Sequence, residues 1–133
     1  MARFPSAAWA AEFRTAVNAN AEYAEAAKAW EGDVVLRVVP PEASGIPPGI
    51  HLDLFHGECR AAEFLPEAAY PSSEFVFDAT LGTWREILER RLDPVKAVLA
   101  GRVKVRGNLA KAMRFTKATG LLIETGATIP SEF

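Results

Sequence analysis

The sequence predicts an α+β domain in which a five-stranded, mainly antiparallel sheet is covered on one face by helices. Three features predict it. Trp9, Phe13 and Val17 recur at four-residue spacing, the period of a helix with one buried stripe. Further along, segments rich in β-branched or alternating apolar residues are separated by Gly and Pro, as strands of a small sheet are. Residues 91–115 then compress a helix start, a helix stop, a short strand and a second helix start into one run. The expected order is α-β-β-β-(crossover)-β-α-α-β-α in a single domain, residues 1–133.

Each element has its own signal. Pro5-Ser6 opens the first helix, whose stripe drifts to Ala24, Ala27 and Trp30. Asn18 and Asn20 are poor helix formers, so this segment is one long helix or two with a kink. Glu31-Gly32-Asp33 ends it, and residues 33–39, dominated by Val, read as a strand. Residues 40–49 contain Pro40-Pro41, Gly45 and Pro47-Pro48-Gly49, a long stiff loop. Residues 50–56 alternate Ile50, Leu52 and Leu54 against His51, Asp53 and Phe55. Gly57 then sits where a tight turn needs positive φ, and residues 58–64 return as the second strand of a hairpin. After a second Pro-containing crossover at 66–73, residues 74–79 form a fourth strand with Phe75 and Phe77 on one face.

Thr83 and Glu86 fit a capping box opening a helix with Trp84, Ile87, Leu88 and Leu92 on one side. Asp93 caps the next helix, Pro94 fills its first position and Gly101 ends it. Residues 102–106 alternate charged and apolar side chains as a half-buried strand does, and Gly107-Asn108 turns into a terminal helix. In that helix Leu109, Ala112 and Met113 are expected on the buried side and Lys111, Arg114 and Lys117 on the exposed side. From Gly120 the tail is apolar, then irregular.

Composition narrows the function classes. With 50% hydrophobic and 24% charged residues and a net charge of -2, the chain can build one core and has no charge excess for nucleic acid. No stretch of about 18 uncharged apolar residues exists, so no membrane span is expected. Arg3, Glu12 and Arg14 break any secretory pattern, which points to the cytoplasm. The lone Cys59 excludes an intramolecular disulfide and a multi-cysteine zinc site, and is expected as a small buried thiol. The absence of Gln and the presence of only three Asn resemble the depletion of thermolabile amides in thermophile proteins.

The ordered set of motifs resembles the sterol carrier protein 2 family of small lipid-binding domains. The resemblance is carried by Trp84-Arg-Glu-Ile-Leu88, by Leu92-Asp-Pro94, and by Ala100-Gly-Arg-Val-Lys-Val-Arg-Gly-Asn-Leu-Ala-Lys-Ala-Met113, with Leu52-Asp-Leu-Phe-His-Gly57 similar to the family's central hairpin. It implies a non-enzymatic carrier with no cofactor and no catalytic residues. A tunnel between sheet and helices would take a hydrophobic small molecule such as a fatty acyl chain, a lipid or a sterol-like ligand. Ile129-Pro-Ser-Glu-Phe133 carries no peroxisomal signal, and the long N-terminal helix and Pro-rich loop are similar to bacterial stand-alone members.

A tunnel of that kind is expected to be lined by Leu36, Leu52, Leu54, Phe75, Phe77, Trp84, Leu88 and Met113, and to meet the last helix at Val103, Val105 and Leu109. The alternative is a filled core, making the protein a dimerisation or interaction module that docks to a separate enzyme. His51 and His56 lie five apart on a strand and cannot share a metal; His56 reads as a turn residue. Ser6, Ser44, Ser72, Ser73 and Ser131 lack a nucleophile-elbow context, and Glu86 and Glu89 sit on a solvated helix face. No acidic residue lies between Asp93 and Glu124, and Arg102, Lys104 and Arg106 share one strand face. That basic stripe is either a solvated edge that discourages strand pairing or a dock for anionic lipid or a ligand's acidic head. Nucleic acid is disfavoured because no aromatic residues interleave with the charges. Val35, Val39 and Phe55 face away from Leu36 and Leu54, so a homodimer through that sheet face is expected to cover them.

Overall fold

The computed structural model describes residues 1–39, 45–68 and 73–133. Parts of the Pro-rich loop and of the crossover, including Ser44 and Ser72, lie outside the described residues. In chain order the elements are β1 (Ala2–Arg3), α1 (Ala7–Asn18), α2 (Ala21–Ala26), β2 (Glu31–Val38), β3 (Gly49–Phe55), β4 (Glu58–Leu65) and β5 (Phe75–Ala79). There follow α3 (Leu81–Leu88), α4 (Pro94–Leu99), β6 (Lys104–Gly107), α5 (Leu109–Arg114), α6 (Thr116–Ala127) and β7 (Ser131–Glu132). The main sheet has the order β4-β3-β2-β5-β6. It is mixed: β2 and β5 run parallel across the crossover, and the other three pairings are antiparallel. The predicted α+β class and its five strands hold, with a two-residue parallel ribbon of β1 and β7 added.

Caps explain where the helices start. Ser6 accepts a hydrogen bond from the Trp9 amide at 3.1 Å and opens α1. Asn20 does the same for Tyr23, so the ambiguous N-terminal segment resolves into two helices because an Asx cap restarts the second. Asp93, Pro94 and Gly101, at φ +76°, frame α4 as expected. Two boundaries are corrected. Thr80, not Thr83, caps α3: its hydroxyl takes the Thr83 amide at 3.2 Å, leaving Thr83 buried one turn inside. Helix α6 runs through Gly120 to Ala127, because burial of Ala118, Leu122 and Thr125 outweighs about 1 kcal/mol for one internal glycine. At the β3–β4 hairpin His56 and Gly57 both take positive φ, and a Cβ on Gly57 would stand 2.5 Å from the Ala24 carbonyl oxygen.

Strand pairing decides which side chains share a face. Val34 lies opposite Leu52 and Phe75, Leu36 opposite Ile50 and Phe77, and Phe77 opposite Val105. This inner face meets the helices. At one end α1 packs on β4, with Phe4 edge-on to Trp9 at 4.7 Å and Trp9 stacked on Phe13 at 5.0 Å. At the other, Trp30 contacts Phe75 at 5.2 Å and Phe115 at 5.1 Å.

The outer face is met in its middle by Pro47 and Ala68. The Ala68 amide donates to the Pro47 carbonyl at 2.7 Å, and the Arg37 guanidinium donates to the Ala68 carbonyl at 2.9 Å. Arg37 and Asp78, neighbours in the parallel register, form a buried bidentate pair at 2.6 and 2.9 Å. Val35 is fully buried within one chain and Val39 is half-buried. Phe55, also half-buried, lies 4.4 Å beneath the Arg60 guanidinium. Of the three residues on which the expected sheet-face homodimer rested, Val35 needs no second subunit to cover it, and Val39 and Phe55 stay partly exposed.

Candidate functional site

Where the inner sheet face meets α2, α5 and α6, side chains leave a cavity of about 30 Å³. The sheet side is made by Val34, Leu54, Phe75 and Phe77, and Trp30 leads into β2. From the helices come Tyr23 of α2, Ala112 of α5, and Ala118, Thr119 and Leu122 of α6. The lining is therefore apolar apart from two hydroxyl-bearing side chains, Tyr23 and Thr119. Its volume is about that of one water molecule. Pockets for drug-sized ligands hold roughly 300–1,000 Å³. An acyl chain can enter only by moving a wall.

The expected lining residues separate into three groups. Leu54, Phe75 and Phe77 line the cavity. Leu36, Leu52, Trp84, Leu88, Val103 and Val105 belong to the surrounding core, and Trp84 spends its indole N–H on the Arg37 carbonyl at 2.9 Å. Leu109 and Met113 are 56% and 76% exposed, which corrects their placement on the buried side of the helix. Helix α5 is turned so that Lys111 points inward, donating to the Glu31 carbonyl and, at 2.8 Å, to Glu74, with its ammonium 4.9 Å from the Trp30 ring centroid. An ion pair and a cation–π seat make that side better for a lysine than for a leucine. Sequence reasoning missed Tyr23, Val34, Ala118 and Leu122, although Ala118 and Leu122 are spaced i, i+4 and could have marked a buried helix face.

Next to the cavity, Cys59 is a buried thiol that burial pushes up to about 11, with Arg14 opposing only part of the effect. Tyr23 is likewise pushed up, by burial first and by Cys59 second. Both groups are neutral at physiological pH. Asn18 fixes the segment by accepting the Cys59 amide at 2.8 Å and donating to the Cys59 carbonyl at 3.0 Å.

A wider groove of about 390 Å³ runs over the outer sheet face past Asp33, His51, Asp53, Phe55 and Arg60. Its polar groups satisfy one another: His51 Nε2 lies 2.8 Å from Asp33 Oδ2, and Arg60 donates to Asp53 at 3.0 Å. Burial pushes the Asp33 carboxyl up, but hydrogen bonds from His51, the Glu74 amide and Ser73 outweigh it and hold the group below the usual carboxylate range. Self-paired charges in an open groove make a weaker binding site than the apolar cavity, despite the larger volume. His56 occupies the hairpin turn beside Gly57, apart from His51 on the strand. Among the described residues no three His, Cys, Asp or Glu side chains gather as a metal site, and no helix is long and apolar enough to cross a membrane.

In the basic stripe, Arg102 is bound to Glu86, while Lys104 is exposed on the edge strand β6.

Residues 12–119 match the model of the SCP-2 sterol transfer family. A crystal structure of a sterol carrier protein 2 superposes with a TM-score of 0.85 at 32% identity, over 93% of this chain and 97% of that one. A solution structure from Thermus thermophilus, of a conserved hypothetical protein and suggested sterol carrier, gives 0.82 at 32% identity over 96% and 90% of the two chains. The palmitated SCP2L2 protein of Aedes aegypti shares the fold at 15% identity, with a TM-score of 0.52 over 80% and 89%. No curated protein sequence matches the chain.

Proposed function

Because the chain belongs to the SCP-2 sterol transfer family, we propose that it is a non-enzymatic carrier whose cargo is an apolar small molecule bearing an acyl chain. The observation that carries this reading is the apolar cavity between the inner sheet face and α2, α5 and α6. The solved structure of a palmitated relative with the same fold supports it. The cavity is the closed form of the site. Cargo enters by displacing α5, a six-residue helix with no buried residue of its own, and by spreading Phe77 and Leu122. Each buried methylene then contributes about 0.8 kcal/mol, and Tyr23 and Thr119 offer hydroxyls to the polar end.

The test is native mass spectrometry of the purified protein, organic extraction of what it carries, and displacement of a fluorescent fatty acid by saturated chains of increasing length. Affinity that rises with chain length up to a limit is expected. Repeated absence of extractable lipid, with no displacement, would assign the protein instead as an interaction module with a filled core.

A further inference from the structure

Buried polar side chains in this fold are engaged by partners. The indole N–H groups of Trp9, Trp30 and Trp84 donate to the Ser131 hydroxyl and to the carbonyls of Gly32 and Arg37, each at 2.9 Å. Arg37 holds Asp78, and Thr83 and Thr125 are bonded through their hydroxyls. Tyr23 departs from that pattern. It is 2% exposed, yet its hydroxyl makes no hydrogen bond with any described residue. A buried hydroxyl without a partner is uncommon in folded proteins and calls for a reason.

The place of this hydroxyl supplies one. Among the described residues no side-chain nitrogen or oxygen is both sealed from open space and unbonded. The Tyr23 hydroxyl, being unbonded, therefore opens on a void, and the void that Tyr23 lines is the cavity beneath the inner sheet face. Thr119, half-buried on α6, brings a second unbonded hydroxyl to the same lining. No charged side chain lines this cavity. Lys111, whose ammonium lies 4.9 Å from the Trp30 ring centroid, is already engaged by Glu74 at 2.8 Å and by the Glu31 carbonyl.

On the carrier reading proposed for this chain, we infer that the Tyr23 hydroxyl anchors the polar end of the cargo and selects an uncharged oxygen-bearing head, an alcohol or an ester, over an ionised carboxylate on the same chain. A phenol donates one hydrogen bond to an alcohol or carbonyl oxygen, and the Thr119 hydroxyl can accept from an alcohol or donate in turn. Burial holds the phenol protonated, so the donor is present at physiological pH. An ionised head would enter an apolar wall with no cation to meet it. That costs far more than burying a neutral oxygen that finds its hydrogen bond.

The test uses the full chain, stripped of lipid, at about pH 8, where a free carboxylate is ionised. Diphenylhexatriene, a hydrocarbon dye with no polar atom, is the probe, and 1-dodecanol and dodecanoate compete with it. Dodecanol is expected to bind about a hundredfold more tightly than dodecanoate. Tyr23→Phe removes one oxygen and no hydrogen bond within the protein, so its Tm is expected to hold. The variant should bind dodecanol about tenfold more weakly while binding the dye and dodecanoate as the native protein does. If neither lipid displaces the dye, the carrier reading falls and the selectivity with it. If both lipids bind equally, or Tyr23→Phe binds dodecanol as tightly as the native protein, the carrier reading stands and the role of Tyr23 is refuted. A fall in Tm of several degrees on Tyr23→Phe would show that the hydroxyl has a partner within the fold, and would also overturn the inference.

Discussion

Adding one methylene to the cavity separates its two roles. Val34 lines it from the central strand β2, and Val34→Ile brings in a group of about the size of the void, which is about 30 Å³. At about 24 cal/mol per Å³, filling the void is worth about 0.7 kcal/mol, and the buried methylene brings the upper limit to about 1.5 kcal/mol. For a domain of this size that is a rise in Tm of roughly 2–6 °C. If the cavity holds the proposed cargo, the same methylene stands in the path of its chain, so affinity for a fluorescent fatty acid should fall, by about tenfold. Scanning calorimetry of the lipid-free protein and a displacement titration read the two effects. A drop in Tm of several degrees would show that the space is not available as drawn. A higher Tm with unchanged affinity would mean that cargo binds elsewhere, and either result refutes the reasoning.

Asp78→Ala leaves the buried Arg37 guanidinium without its bidentate partner, and a loss of about 3–5 kcal/mol is expected in urea unfolding. The double variant Arg37→Leu, Asp78→Leu should recover much of that loss, because it removes both members of the pair. Cys59, buried and pushed up to about 11, should react with a thiol reagent at pH 8 only as fast as the protein opens; immediate reaction of the native protein would contradict its burial. Hydrogen bonding holds the folded Asp33 carboxyl below its ordinary value of 3.8, so its stabilisation is present above that pH and drains away as pH falls through the folded value. Asp33→Asn should therefore flatten the fall in Tm between about pH 5 and about pH 2, and an unchanged slope would count against the shift.

Elements whose cause is local were legible in the sequence. Asp93-Pro94, Gly101 and Gly57 act through their own backbone, and the Trp9-Phe13-Val17 stripe through helical period alone. What failed depended on distant partners. The face of α5 was misread because Lys111 is drawn inward by Glu74 and Trp30, which come from other parts of the chain. Burial of Val35 on the outer sheet face was invisible because its cover is supplied by the Ala68 segment, which no periodicity announces. The lining of the candidate cavity was legible as far as Leu54, Phe75 and Phe77, where strand alternation assigns the inner face. The helical half was not, since Gly120 hid the continuation of α6 that brings Leu122 over the sheet.

The ribbon of β1 and β7 makes the two termini one mechanical unit. Ala2 pairs with Ser131 and Arg3 with Glu132, Phe4 and Phe133 meet at 6.1 Å, and the Trp9 indole donates to the Ser131 hydroxyl at 2.9 Å. Chain ends ordinarily fray independently. Here, loosening either end strips the other of its ladder and uncovers the aromatic stack beneath α1, so amide exchange at residues 2–4 and 131–133 should rise together. Seen this way the fold is closed on itself like a clasped loop, and peptides appended at its two ends would emerge side by side.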